Sequence, residues 1–182
     1  MLESLVVYQN RWMSVREDRV LRTDGSEGIY GVVNKPDFAL VVPRSDDGGF
    51  WLVEQFRYPV QRRAWEFPQG SWDAASGTQE DLARAELAEE TGLVARNVEH
   101  LGHLYGAYGF CSQGFDVYLA TGLVQGISAR EPAEADMEQQ LVNEARFLEW
   151  VRSGHIVDAA TIAAYALLQL HEYRPSVLDE SS

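Results

Sequence analysis

The stretch Ala85-Glu86-Leu87-Ala88-Glu89-Glu90-Thr91-Gly92-Leu93 decides how this chain is read. At about 3.6 residues per helical turn, positions i, i+3 and i+4 share a face, so Glu86, Glu89 and Glu90 point the same way. Like charges at that spacing repel by roughly a few tenths of a kcal/mol per pair. A solvated face tolerates the repulsion. A face that holds hard divalent cations gains from it, because Mg2+ and Mn2+ prefer carboxylate oxygen. The surroundings frame a helix. Thr78 followed by Asp81 is a capping-box pattern with the shorter acid, Leu82, Ala83, Ala85, Leu87 and Ala88 favour helix, and Gly92 suits a left-handed cap. Upstream, Trp65-Glu66-Phe67-Pro68-Gln69-Gly70 reads as a short strand entering a Pro-containing loop. Strand, Gly-bearing loop and acidic helix bring backbone carbonyls and carboxylates to one point.

Outward from this frame, strand-like runs occur at Leu5 to Tyr8, Arg19 to Leu21 and Ile29 to Val33, with a turn at 23–26. Phe38 to Val42 and Phe50 to Gln55 flank Asp46-Asp47-Gly48-Gly49, a hairpin signal. Val98 to Tyr105 and Phe115 to Thr121 bracket a loop at 106–114, and the acidic stretch 130–140 reads as another loop. Helices are expected near 143–153 and 159–173, the latter with Ile162, Tyr165, Ala166, Leu170 and Tyr173 as a core-facing apolar stripe. Strands dominate the first half, with helices packed on a mixed sheet, which is α+β.

At 182 residues the chain is long enough for one domain with a real core. A net charge of −13 argues against a general nucleic-acid or anionic-membrane binder, whose partners are held mainly by Lys and Arg. It does not exclude a small anionic substrate, because bound metal reverses the local sign. The single cysteine, Cys111, excludes an internal disulfide and reads as packing in a reducing compartment. With no basic n-region at the start and no run of roughly 20 apolar residues, a cytoplasmic location is expected.

Aligned on Glu86 to Leu93, the chain resembles the Nudix hydrolases. Their signature reads Gly, five residues, Glu, seven residues, ArgGlu, an aliphatic residue, any residue, GluGlu, any residue, Gly, aliphatic. The second half is intact here; in the first half the Arg falls on Ala85, the first Glu on Gly77, and the first Gly is displaced by one residue to Gly70. In that family the Arg and the first Glu help organise the loop-helix-loop, and losing both together leaves no unpaired buried charge, as the loss of an ion pair would. Arg84 is about 100° around the helix from the vacant Arg position and cannot simply substitute. Val53-Glu54-Gln55-Phe56-Arg57-Tyr58-Pro59, the Trp65 to Gly70 segment and the stretch from Trp150 to Ile162 are similar to the ADP-ribose pyrophosphatases and related nucleotide-sugar hydrolases. The SerProGly turn usual in that subfamily is replaced by Ala107-Tyr108-Gly109.

The resemblance implies an alpha-beta-alpha sandwich around a mixed sheet. It implies a small antiparallel β extension over residues 1–36, through which two chains form a homodimer, and a hydrolase domain over 37–182. It implies Mg2+, or Mn2+, held by Glu86, Glu90, Glu89 (directly or through water) and the Gln69 backbone carbonyl. A carboxylate on a loop after the signature helps activate water in this subfamily; Glu134 is the first candidate and Glu138 the second, with Glu131 and Asp136 nearby. Arg57 either grips the diphosphate or makes an ordinary ion pair. Glu66 is a candidate to hydrogen-bond the base or ribose, while Tyr108, Phe110 and Phe115 either stack on a base or belong to the core. His103 and His155 have no partner at metal-ligand spacing and read as structural. Three functions follow: hydrolysis of ADP-ribose or a similar nucleoside diphosphate sugar to a nucleoside monophosphate and a sugar phosphate; hydrolysis of another diphosphate, such as a dinucleoside polyphosphate; or ligand binding by a Nudix fold that has lost catalysis. Ala85 and Gly77 keep the last alive, and the three retained glutamates oppose it.

Overall fold

The computed structural model describes residues 1–71, 77–126 and 136–173. In chain order the strands are β1 (Glu3–Gln9), β2 (Ser14–Leu21), β3 (Glu27–Asn34), β4 (Phe38–Pro43), β5 (Phe50–Arg57), β6 (Arg62–Glu66), β7 (Gln69–Gly70), β8 (Leu93–Tyr105), β9 (Gly114–Gln125) and β10 (Glu138–Val142). The helices are α1 (Gln79–Thr91), α2 (Glu144–Ser153) and α3 (Ala159–Glu172). β1, β2 and β3 make an antiparallel meander, β10-β5-β6 a second antiparallel sheet, and β7-β4-β9-β8 a mixed sheet in which β4 runs parallel to β9.

β4 organises the layers. Its run Phe-Ala-Leu-Val-Val is apolar on both faces, as a central strand covered on two sides must be. Ala39 and Val41 face α1 with Leu82, Ala83, Leu87, Tyr118 and Ala120. Leu40 and Val42 face the opposite way, into a core with Phe50, Phe67, Phe147, Ile156, Ala164 and Leu168. Helices therefore lie on both sides of the strands: an α+β sandwich. α1 is bounded as its sequence requires. Thr78 and Asp81 make a reciprocal capping box, and Gly92 closes the helix at φ 70°.

Three features differ from the sequence reading. The turn at 46–49 is tight, with Ser45 N–H donating to the Gly49 carbonyl at 2.9 Å, yet β4 and β5 enter different sheets and share only the bridge Arg44–Phe50. Both edges of β4 are already taken by β7 and β9, so the turn joins sheets instead of closing a hairpin. Residues 138–140 are strand, not loop: Glu138, Gln139 and Gln140 pair with Glu54, Val53 and Leu52. An edge strand needs only backbone partners, and polar side chains protect its free edge. In α3 the buried positions are Thr161, Ala164 and Leu168; of the expected stripe Tyr165 packs against the core, while Ile162, Leu170 and the C-cap Tyr173 are exposed. Tertiary hydrogen bonds at the start of that helix, described below, fix its phase.

Candidate active site

α1 packs against the mixed sheet through Leu82, Ala83 and Leu87, and the same buried stripe carries Glu90 and Thr91. Glu90 is 1% exposed. A carboxylate that deep needs partners, and the Gln69 backbone N–H donates to Glu90 Oε2 at 3.3 Å. One turn earlier, Glu86 lies against Gly70, where a Cβ would collide with the Glu86 carboxylate. Only glycine lets strand and acid approach so closely. Glu89 is half-buried on the same helix. The two-residue strand β7 thus meets the acidic face of α1, with β4 pairing behind it at Ala39–Gly70 and Leu40–Gln69.

The donor set is oxygen: the carboxylates of Glu86 and Glu90 and the neighbouring Gln69 peptide. Among the described residues no three His, Cys, Asp or Glu side chains could hold a metal ion by themselves. One or two carboxylates beside a peptide oxygen is a donor set that a hard divalent cation accepts, with water and substrate phosphate completing its shell. The residues present fit such an ion.

Beside this cradle, Arg57 grips Glu66 in a two-point ion pair, Nε to Oε2 at 3.1 Å and Nη2 to Oε1, and Gln55 Nε2 donates to Glu66 Oε1 at 2.8 Å. Burial pushes the Glu66 carboxyl up from its ordinary range, while Arg57 and Gln55 pull it back. Burial opposes the charge on Arg57, yet Glu66, Glu90 and Asp158 together hold its pKa above the ordinary value. Arg57 and Gln69 are shared walls of two clefts. One, of ≈ 580 Å³, is bounded further by Val60, Arg62, Val157 and Asp158. The other, of ≈ 190 Å³, is bounded by Lys35, Phe38, Ser71 and Gln113. The larger falls within the roughly 300–1,000 Å³ of typical small-molecule sites.

Gln69, Glu86, Glu89, Glu90, Arg57 and Glu66 are thus brought to one neighbourhood. Glu131 and Glu134 lie outside the described residues. Glu138 pairs with Glu54 on β5, and the alternation of strand side chains puts it on the opposite face from Glu66, which pairs with Val53. Asp136 is bound to Arg63 at 2.7 Å. Tyr108 is 83% exposed and lines neither cleft, and Phe110 is also exposed. Phe115 is core and stacks on Phe38. Arg84 turns away, to Glu80 at 2.8 Å and the Ala95 carbonyl at 3.1 Å, so it does not fill the vacant Arg position. His103 lies 3.4 Å from Asp116, which also meets His100 at 2.8 Å, an ion-pair contact between β8 and β9.

Sequence reasoning missed Asp158. It caps α3 by accepting from Thr161 N–H at 2.8 Å and also accepts from Gln69 Nε2 at 3.1 Å. The cap was legible as an Asp three residues before a Thr at a helix start. Its reach to Gln69, far away in the sequence, was not.

Comparison with known proteins gives the family. Residues 1–33 match the nucleoside diphosphate sugar hydrolase N-terminal domain and residues 34–170 the NUDIX domain. The ADP-ribose pyrophosphatase of Mycobacterium tuberculosis is 32% identical over 163 residues, 89% of this chain and 79% of that protein. The ADP-ribose pyrophosphatase of Bacillus subtilis is 32% identical over 167 residues, 91% of this chain and 90% of that one. A crystal structure of an ADP compounds hydrolase, 20% identical, superposes with a TM-score of 0.81 over 93% of this chain and 91% of that one, and shows the same fold. The chain belongs to the Nudix hydrolases, as a pyrophosphatase of the ADP-ribose pyrophosphatase type. Among the described residues no helix is long and apolar enough to cross a membrane.

Proposed function

We propose that this protein hydrolyses the pyrophosphate bond of a nucleoside diphosphate sugar, ADP-ribose being the leading substrate, to a nucleoside monophosphate and a sugar phosphate, with Mg2+ or Mn2+ as cofactor. The observation that carries it is the cradle in which Glu86 and Glu90 of α1 close on the Gln69–Gly70 strand, beside a buried Arg57–Glu66 pair and two adjoining clefts. Such an ion, when bound, neutralises phosphoryl oxygens and lowers the pKa of a coordinated water. Glu86 and Glu90 would hold it with the Gln69 carbonyl, and Glu89 would bridge directly or through water. Arg57, steadied by Glu66, presents positive charge where the two clefts meet, the place for the diphosphate. Nucleoside and sugar then occupy opposite sides of that junction. Water attacks one phosphorus, the bridging P–O bond breaks, and the departing phosphate takes the electron pair. The proton passes to a carboxylate, for which Glu134 is the first candidate.

Residues 1–36 serve as the dimerisation element in this reading, with residues 37–182 as the hydrolase domain. Every residue of β1 is exposed, including Leu5 at 61%, Val6 at 55% and Val7 at 57%. A second copy would cover them. The test is a panel of nucleotide sugars incubated with Mg2+, with products separated and identified. ADP-ribose should give AMP and ribose phosphate, and excess chelator should stop the reaction. Absence of any monophosphate product across the panel, or full activity in chelator, would refute it.

A further inference from the structure

We propose that Asp158 and Thr161, at the start of α3, are positioning residues that hold segment 67–70 against α1, taking over the orienting task of the Arg and Glu that the family signature carries and this chain lacks at Ala85 and Gly77. The inference rests on the metal-cradle reading above. The segment is tied at both ends. Phe67 N–H donates to Thr161 Oγ1 at 3.0 Å, and Gln69 Nε2 donates to Asp158 Oδ2 at 3.1 Å. Thr161 Oγ1 in turn sits 2.8 Å from Asp158 Oδ2. Because that hydroxyl accepts from Phe67, its own proton must go to Asp158, so the network has one consistent arrangement. Phe67 and Thr161 are fully buried, and water cannot replace a broken bond there without disturbing the core.

What the ties hold is the cradle itself. Gln69 N–H is committed to Glu90, Gly70 lies against Glu86, and the Pro68 carbonyl accepts from Val41 N–H at 2.9 Å. α1 and α3 pack on opposite faces of the mixed sheet, and segment 67–70 touches both. A shift of the segment would move the Gln69 peptide and the Gly70 surface together, relative to both glutamates. Neither side of the missing pair supplies a tether: Ala85 carries no charge, Gly77 is exposed, and Arg84 is engaged elsewhere.

An N-cap alone would explain the bond from Asp158 to Thr161, so the experiment separates the two roles. Asp158→Ser keeps a capping oxygen but is too short to reach the Gln69 amide. Gln69→Leu removes that amide and leaves both the cap and the backbone carbonyl. Asp158→Asn keeps an acceptor for both partners. Mn2+ is titrated into each substrate-free protein and free ion followed by EPR, alongside thermal melting and steady-state kinetics. Asp158→Ser and Gln69→Leu should each weaken Mn2+ binding by about 10-fold, the scale of losses from groups behind metal ligands. They should lower kcat more than they raise KM, the double variant should be no worse than either single, and Asp158→Asn should recover most of the affinity. Wild-type Mn2+ affinity in two variants that melt cooperatively, or strictly additive losses, would overturn the inference. Failure of the wild-type protein to bind Mn2+ at all would instead overturn the metal reading, and this inference with it.

Discussion

Two regions of this chain invert the usual rule of apolar inside and charged outside, and they do so in opposite senses. At the foot of α1, Glu90 and nearby Glu66 are 1% and 2% exposed. In the N-terminal meander, Leu5, Val6, Val7, Ile29 and Tyr30 are each half exposed or more. A buried acid stays because something of opposite sign, or a set of donors, meets it: Arg57 and Gln55 at Glu66, the Gln69 peptide at Glu90. An exposed apolar row marks a surface suited to contact with something other than water. The first inversion is solved within one chain and points to ligand chemistry. The second is not solved within one chain, and it is the surface that the proposed dimer would cover. The contrast separates chemistry from assembly, and each side can be broken independently.

The largest effect is expected at Glu90. Glu90→Gln keeps the shape and the acceptor for Gln69 N–H but removes the charge, and should lower kcat at least about 100-fold, roughly 2.7 kcal/mol of barrier. Near-normal turnover with saturating Mg2+ would remove this residue from the metal cradle. At the other pole, Val6→Ser should leave the hydrolase domain's melting unchanged but weaken dimerisation. With a loss of about 1 kcal/mol per copy, the dimer dissociation constant should rise about 30-fold. Analytical ultracentrifugation reads this directly, and a wild-type monomer at micromolar concentration that keeps full activity would end the dimer proposal.

Gly70 tests how tightly the cradle must close. A methyl group there meets only the far end of the flexible Glu86 side chain, so the fold can adapt by moving the acid. Gly70→Ala should therefore melt close to wild type while losing about 10-fold in kcat, near 1.4 kcal/mol. A fall in stability with no change in kcat would mean that Glu86 is packing, not chemistry.

The same contrast explains what was legible in the sequence. The frame of α1 was, because Thr78, Asp81 and Gly92 act within a few residues of one another and their hydrogen bonds are local. β4 was legible as a strand because an apolar run without polar interruption can only be buried. Its partner was not: the Asp46 to Gly49 turn is a local signal, while sheet membership is decided by β7 and β9 competing for both edges of β4. β10 escaped notice because its polar side chains carry no alternation and only its backbone matters to β5. The apolar stripe expected for α3 was only partly legible: Tyr165 packs on the core, but Thr161 is buried by its bond to Phe67, a polar reason that a hydrophobic stripe does not reveal. In the candidate site, the meeting of Glu86 and Glu90 with Gln69–Gly70 was readable from spacing and resemblance. The contact of Asp158 with Gln69 was not, because it spans distant parts of the chain.

The smallest effect concerns the altered half of the signature. If Ala85 and Gly77 were merely the two ends of a deleted ion pair, restoring Arg and Glu together should produce favourable coupling of about 0.5–3 kcal/mol, as residues in contact do. The backbone opposes this. Gly77 has φ 113°, a region that L side chains rarely adopt, and it directly precedes the capping residue Thr78. Gly77→Glu should therefore cost about 1 kcal/mol in strain before any partner is considered. Segment 67–70 is moreover already tied to α3 through Phe67 and Gln69, so a restored pair would have little left to orient. Ala85→Arg with Gly77→Glu should thus be additive to within about 0.5 kcal/mol in thermal stability and in kcat. Coupling clearly above that limit would show that residue 77 still reaches the helix, and that this chain stands a single ion pair away from the usual signature instead of having moved the task to the opposite face of its sheet.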